Sequence, residues 1–201
     1  MQTITKEFEV YQFSELSEEA KEKAVQYNAE NNSDTFWQEC AIDELKEAAK
    51  FLGIDIDKIY YSGFSSQGDG ACFIGDYNYK RGALKSIINE FPKWEELHTI
   101  AKDLQELQKV AFYNLSARVK HSGHYYHEYC TSIEVFYRDE YLTEKTEHYE
   151  EELSVILRDF MRLCYSHLES CYEYEISEKN FLDYLEPNEY LFLENGDYYN
   201  E

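Results

Sequence analysis

The chain has 201 residues, with 41 Asp plus Glu against 19 Lys plus Arg and a formal net charge of -22. Phosphate contacts need clustered Lys and Arg, so this balance excludes nucleic acid as a direct partner and favours something positive, such as a basic protein surface. A hydrophobic content of 43% with 17% aromatic residues sets the chain apart from acidic disordered tails and is enough for a packed core.

No run approaches the roughly 18 apolar residues of a membrane span, so no membrane partner is expected. The opening MQTITKEFEV has neither a basic n-region nor an apolar h-region. Five widely spaced cysteines (Cys40, Cys72, Cys130, Cys164, Cys171) without a CxxC pair point to reduced thiols and a cytoplasmic setting. Charge is uneven: residues 141–201 hold 16 acids and 4 bases, residues 54–140 hold 13 and 10.

In chain order, residues 3–12 alternate loosely through Ile4, Phe8 and Val10 and read as a first strand. Ser14 or Ser17 then caps a helix with Glu18 and Glu19 in its first turn, where the helix dipole favours acids. Its apolar stripe is Leu16, Ala20, Ala24 and Tyr27. A second helix follows Asp34, with Trp37, Ala41, Leu45, Ala48 and Leu52 on one face and Gly53 as its stop. IDKIYYSGFS and ACFIGDYNY read as strands flanking a tight SQGDG turn. A short helix over 82–90 precedes Pro92, and a long one follows over 93–112. LSARVKH and YCTSIEVFYRD alternate as a hairpin with HSGHYYHE at its tip. The longest helix covers 146–174. A short helix near 178–186 leads to YLFLENGDYY, a terminal strand or small hairpin around Asn195-Gly196. This order predicts an α+β fold, an antiparallel sheet with long helices packed on it. The expected arrangement is one domain over 1–201, with sheet and helices in 1–140 and an acidic, mostly helical C-terminal part or lobe in 141–201.

Three stretches, YQFSELSEEAKEKA, GFSSQGDGACF and the hairpin from Leu115 to Val135, resemble a loose group of small acidic proteins of bacteriophages and mobile elements, sometimes labelled antitoxin-like. The resemblance implies a phage or prophage setting, with an infected bacterial host as the cytoplasm. It brings no catalytic residues.

Four candidate sites stand out. His121, His124, His127 and Glu128 put four donors within eight residues, a set suited to a transition metal if the turn gathers them. On a strand, positions three apart face opposite sides, so the plainer reading is a polar, pH-sensitive tip. Ser66, Gln67 and Asp69, with Ser65 and Cys72 beside them, surround Gly68 and Gly70. Such a turn presents backbone N–H groups to an anion, or serves only as a tight hairpin turn. The cysteines read as small buried hydrophobes. The acidic C-terminal third supplies Glu150, Glu151, Glu152, Glu169, Glu173, Glu175, Glu178, Asp183, Glu186 and Glu189, interleaved with Tyr172 and Tyr174. Rows of carboxylates imitate the phosphates of a duplex, or serve solubility alone.

These observations lead to a non-enzymatic, cofactor-free expectation. The chain reads as a phage-type anti-defence inhibitor of anti-CRISPR or anti-restriction class. Its acidic surface would bind the basic nucleic-acid site of a host protein or ribonucleoprotein complex. Two alternatives stay open: a nucleotide- or metal-sequestering protein using the SQGDG turn and the His-rich hairpin, and an antitoxin neutralising a basic toxin. A metal-dependent hydrolase at those same residues is the remaining reading, and no motif demands it.

Overall fold

A computed structural model of the protein describes residues 2, 6–31, 36–137, 144–188 and 190–199, with side chains at all of these but 30, 31, 144–147, 186 and 187. Among the described residues, six α-helices and four strands follow a 3-10 turn at Phe13–Glu15: α1 Glu18–Asn31, α2 Phe36–Leu52, β1 Ile54–Tyr61, β2 Ala71–Asn78, α3 Ala83–Glu90, α4 Glu95–Val110, β3 Leu115–His121, β4 Thr131–Tyr137, α5 Glu144–Glu175 and α6 Glu178–Asn188. The fold is α+β. The chain forms two compact units, one of residues 39–169 and one of residues 1–38 with 170–201.

In the larger unit the strands lie in the order β1-β2-β3-β4, all antiparallel. One face is apolar. In β3, Leu115, Ala117 and Val119 are buried in alternation with Ser116, Arg118 and Lys120. In β1 the buried positions are Ile54, Ile56 and then Ile59, which breaks a period of two. A bulge between Ile56 and Lys58 accounts for the change of phase, because the extra residue returns the next isoleucine to the core side. The other face carries charge. Arg118 pairs across the ladder with Asp76 at 2.9 Å, and Lys120 reaches Glu134 at 3.0 Å. An antiparallel sheet packed on one side only reads in this way.

Helices cover the apolar face. α2 buries Ala41, Leu45, Ala48, Ala49 and Leu52 and stops at Gly53, whose φ of +89° suits the left-handed region. α4 buries Leu97, Ile100, Ala101, Leu104 and Leu107. α5 buries Leu153, Leu157, Phe160, Met161 and Cys164, and the Phe160 ring meets Phe73 of β2 edge-on at 5.9 Å. Among the described residues two polar side chains are buried, Thr131 and, more deeply, Gln108. Gln108 of α4 is fully buried. Its Nε2 donates to the Leu115 carbonyl at 2.8 Å and the Tyr77 hydroxyl at 3.1 Å, and its Oε1 accepts the Leu115 N–H at 3.3 Å. Burial pushes the Tyr77 phenol up to about 12, so it stays neutral.

His167 of α5 is half-buried. Its ring lies 4.8 Å from that of Trp94, and Nε2 stands 3.1 Å from Glu44 Oε2. Burial holds its pKa below the ordinary 6.5, although Glu44 pulls the other way.

The smaller unit packs α1 against α6. Its core is Leu16, Ala20, Ala24, Phe181, Leu185 and Phe192, with Tyr11, Phe13 and Tyr198 half-buried around it. Ser17 is the cap of α1, accepting the Ala20 N–H at 3.2 Å. The expected first strand over 3–12 does not form across its described part. Residues 6–10 carry no strand, and Phe8 and Val10 are exposed. Only Tyr11 pairs, through a single bridge to Phe192, which in turn bridges Tyr198 across the Asn195-Gly196 turn. Ile4 and Asp34 lie outside the described residues. All five cysteines carry free thiols. Among the described residues, no helix is long and apolar enough to cross a membrane.

Replacing Gln108 by Leu leaves the Leu115 N–H and carbonyl buried without partners, so urea unfolding is expected to show a loss of about 3 kcal/mol. A loss under about 1 kcal/mol would show that the amide is not the tie described. His167 makes a second prediction. Its depressed folded pKa means that its contribution is complete above 6.5 and is lost as pH falls below that value, because the unfolded chain takes the proton first. Between about pH 7.5 and about pH 5.5 the native protein is expected to lose more thermal stability than His167→Gln. Parallel stability curves for the two would contradict this.

Candidate functional site

The SQGDG turn and the His-rich tip, separate in sequence, pack together. Gly70 lies so close to His127 that an added Cβ would stand 2.6 Å from the His127 Cβ. No side chain fits there, which is why the turn ends on glycine. The loop is closed on itself. Ser62 N–H donates to the Gly70 carbonyl at 3.1 Å, and Gly70 N–H to Ser62 Oγ at 3.2 Å. Asp69 Oδ2 accepts the Ser65 N–H at 3.0 Å and the Ser66 N–H at 2.6 Å. The Ser66 N–H, then that of Ser65, hold the Asp69 carboxyl below the usual range. The amides that were candidates for binding an anion already hold one, supplied by the loop. Ser66 and Gln67 are exposed beside it. Tyr165 of α5 donates to the Gly63 carbonyl at 3.3 Å and anchors the loop from below.

At the tip the three histidines are used separately. His121 Nε2 contacts the Tyr125 carbonyl at 2.9 Å, and its ring stacks on Tyr60 at 5.3 Å. Tyr126 stacks on Tyr60 at 5.4 Å, and Lys58 lies 4.4 Å over the same ring. His127 Nδ1 accepts the Tyr129 N–H at 3.2 Å, which leaves the Nε2 proton facing Cys130 Sγ at 3.4 Å. His124 is exposed against Tyr125. Glu128 binds Arg162 at 3.2 Å. Among the described residues, no three His, Cys, Asp or Glu side chains stand together as a metal site. The imidazoles are spread along a turn held by stacking, and so do not converge.

The thiols offer no nucleophile in the SQGDG region. Burial pushes Cys72 up to about 12, and Cys164 is raised by burial too. Both stay protonated and inert at neutral pH. The His127–Cys130 contact is a pair that sequence spacing did not suggest.

The acidic candidates separate into sets with different surroundings. Glu175 is half-buried, and Asn180 Nδ2 donates to its carbonyl at 3.0 Å and its Oε2 at 3.3 Å, which closes the α5–α6 turn. Asp183 accepts the Tyr174 hydroxyl at 3.4 Å. Tyr172 is half-buried with its ring 5.9 Å from Trp37. Glu173 and Glu178 are exposed, and Glu169 is half-buried within the larger unit. Glu189 and the side chain of Glu186 lie outside the described residues.

Glu150, Glu151 and Glu152 have a different setting. Glu150 is exposed, while Glu151 and Glu152 border a groove of about 610 Å³ between α4 and α5. Asp103 and Glu106 of α4 and Asp159 of α5 complete its rim. Leu107, Val110, Val155 and Ile156 form the floor. Leu107 and Ile156 are core residues, whereas Val110 is 55% exposed and Val155 47%. Part of the rim is compensated. Lys102 reaches Glu106 at 3.9 Å, Arg162 pairs with Asp159, and His148 lies 3.1 Å from Glu152. Among the described residues, Asp103 and Glu151 make no ion pair. Sequence reading missed Asp103, Glu106 and Asp159. The available signal was the spacing of Asp103, Glu106 and Val110, which places all three along one side of α4.

The sequence pattern of a domain of unknown function, DUF8835, matches residues 37–178. The chain belongs to this family. No curated protein and no solved structure matches it. Both walls of the groove and both tip loops lie inside the matched span.

Removing the Asp69 carboxylate tests the self-filled loop. In Asp69→Ala the Ser65 and Ser66 amides are expected to exchange with solvent faster than in the native protein, while Gln108-tied positions such as Leu115 keep their protection. Unchanged exchange at both serines would mean that the carboxylate does not close the turn.

Proposed function

We propose that this DUF8835 protein is a non-enzymatic binding protein that docks a carboxylate-rich surface on a basic surface of a partner. Such a rim imitates the phosphates of a nucleic acid, so the surface it would occupy is a cationic groove that ordinarily receives one. The partner is then a host protein or ribonucleoprotein complex, and the action that of a phage-type anti-defence inhibitor. One observation carries the reading: five carboxylates from two helices are brought onto one groove over an apolar floor. The rim concentrates negative potential where two of its carboxylates make no ion pair among the described residues, and the net charge of -22 steers a basic partner toward it. Neutralising a basic toxin would use the same chemistry. The turn and hairpin favour a structural role, since Asp69 fills the loop and the His121 and His127 imidazoles are engaged within the tip.

Affinity capture from bacterial lysate tests the reading. Screening shortens the reach of exposed charges from about 10 Å at 0.1 M salt to about 3 Å at 1 M. A partner held at the lower salt, released at the higher, and lost with Asp103→Lys combined with Glu151→Lys is the expected outcome. A partner retained at high salt and by the charge-reversed protein would contradict it.

A further inference from the structure

The groove is more specific than a charged patch. A patch for solubility, or one that meets a flat basic surface by charge alone, has no use for solvent-facing valines. Here Val110 on α4 and Val155 on α5 line the trough together with the carboxylates and stand 55% and 47% exposed. Their neighbours Leu107 and Ile156 continue the apolar surface down to the core. Exposed apolar side chains framed by charge of one sign mark a surface made for a partner that is apolar along its centre and opposite in charge along its edges.

We propose that the α4–α5 groove receives an amphipathic, cationic α-helix of the partner. A helix laid in a groove presents apolar anchors at i, i+3, i+4 and i+7, the repeat that an apolar trough between two helices accepts. Lys and Arg on its flanks meet the rim, and their methylene stems extend the contact over the valines while the charged heads reach Asp103 and Glu151. Charge complementarity decides the occupant. A second copy of this chain would bring its own net charge of -22 to a carboxylate rim, and nucleic acid would bring phosphates. The occupant rests on the reading that the acidic surface binds a basic partner, but it adds a requirement for order as well as charge.

The test uses the full-length protein and two synthetic peptides of about 18 residues, labelled for fluorescence anisotropy. One places Leu at the helix-groove spacing with Lys and Arg elsewhere. The other has the same composition, shuffled so that no apolar stripe forms. The patterned peptide is expected to bind about tenfold tighter or more. That preference is expected to vanish in Val110→Gln combined with Val155→Gln, which keeps every rim charge and favours helix. Asp103→Lys with Glu151→Lys is expected to weaken both peptides. Thermal melting confirms that each variant is folded. Equal, salt-sensitive binding of the two peptides would overturn the helix-in-groove inference and leave the charge reading standing. No binding of either peptide at low salt would overturn both. A preference that survives the valine substitutions would move the helix site away from this groove and overturn the inference as well.

Discussion

The buried amide of Gln108 ties the wall of the groove to the sheet. A single side chain joins α4 to the Tyr77 hydroxyl of β2 and to both backbone groups of Leu115 at the start of β3. An amide in a core is costly unless its partners are supplied, and here three groups meet it. The consequence is positional. Gln108 sits between Leu107 and Val110, so fixing its rotation about the helix axis fixes which residues of α4 border the trough. The facing wall is held by packing instead, with Phe160 of α5 edge-on to Phe73 of β2. A groove between helices anchored in these two ways is preformed, and a preformed site spares its partner the cost of ordering it.

Charge on this protein acts by place more than by sum. The segment 54–140 holds 13 acids and 10 bases and looks nearly neutral. Yet Arg118 and Lys120 spend their charge on Asp76 and Glu134, across the open face of the sheet. They do nothing for Asp103 and Glu106 on α4. The same segment that appears balanced in a count therefore contributes two of the five rim carboxylates. The acid-rich C-terminal third shows the converse: Glu175 and Asp183 are engaged in the α5–α6 turn and by Tyr174.

What the sequence made legible was periodicity. The α+β class, the helix stop at Gly53, the SQGDG turn and the hairpin from Leu115 all follow from local patterns that the structure keeps. Alternation failed at the N-terminus, where Phe8 and Val10 have the spacing of a strand but, among the described residues, no neighbouring strand to bury them. The bulge in β1 was hidden because Asp57 looks like any exposed strand residue, and only the pairing with β2 reveals the shift. The candidate site was half legible. Glu151 and Glu152 were visible as a charge run on α5. Asp103, Glu106 and the two exposed valines needed tertiary contact, because no local pattern tells which side of α4 will face α5.

Hydrogen exchange on the protein alone and in complex with the basic partner that the proposal requires is the most direct measurement of the central claim. Backbone amides of 103–110 and 148–159 are predicted to gain protection on binding, with residues 62–70 and 121–130 unchanged. Protection confined to the turn and the hairpin tip, with α4 and the first half of α5 unaltered, would contradict the account.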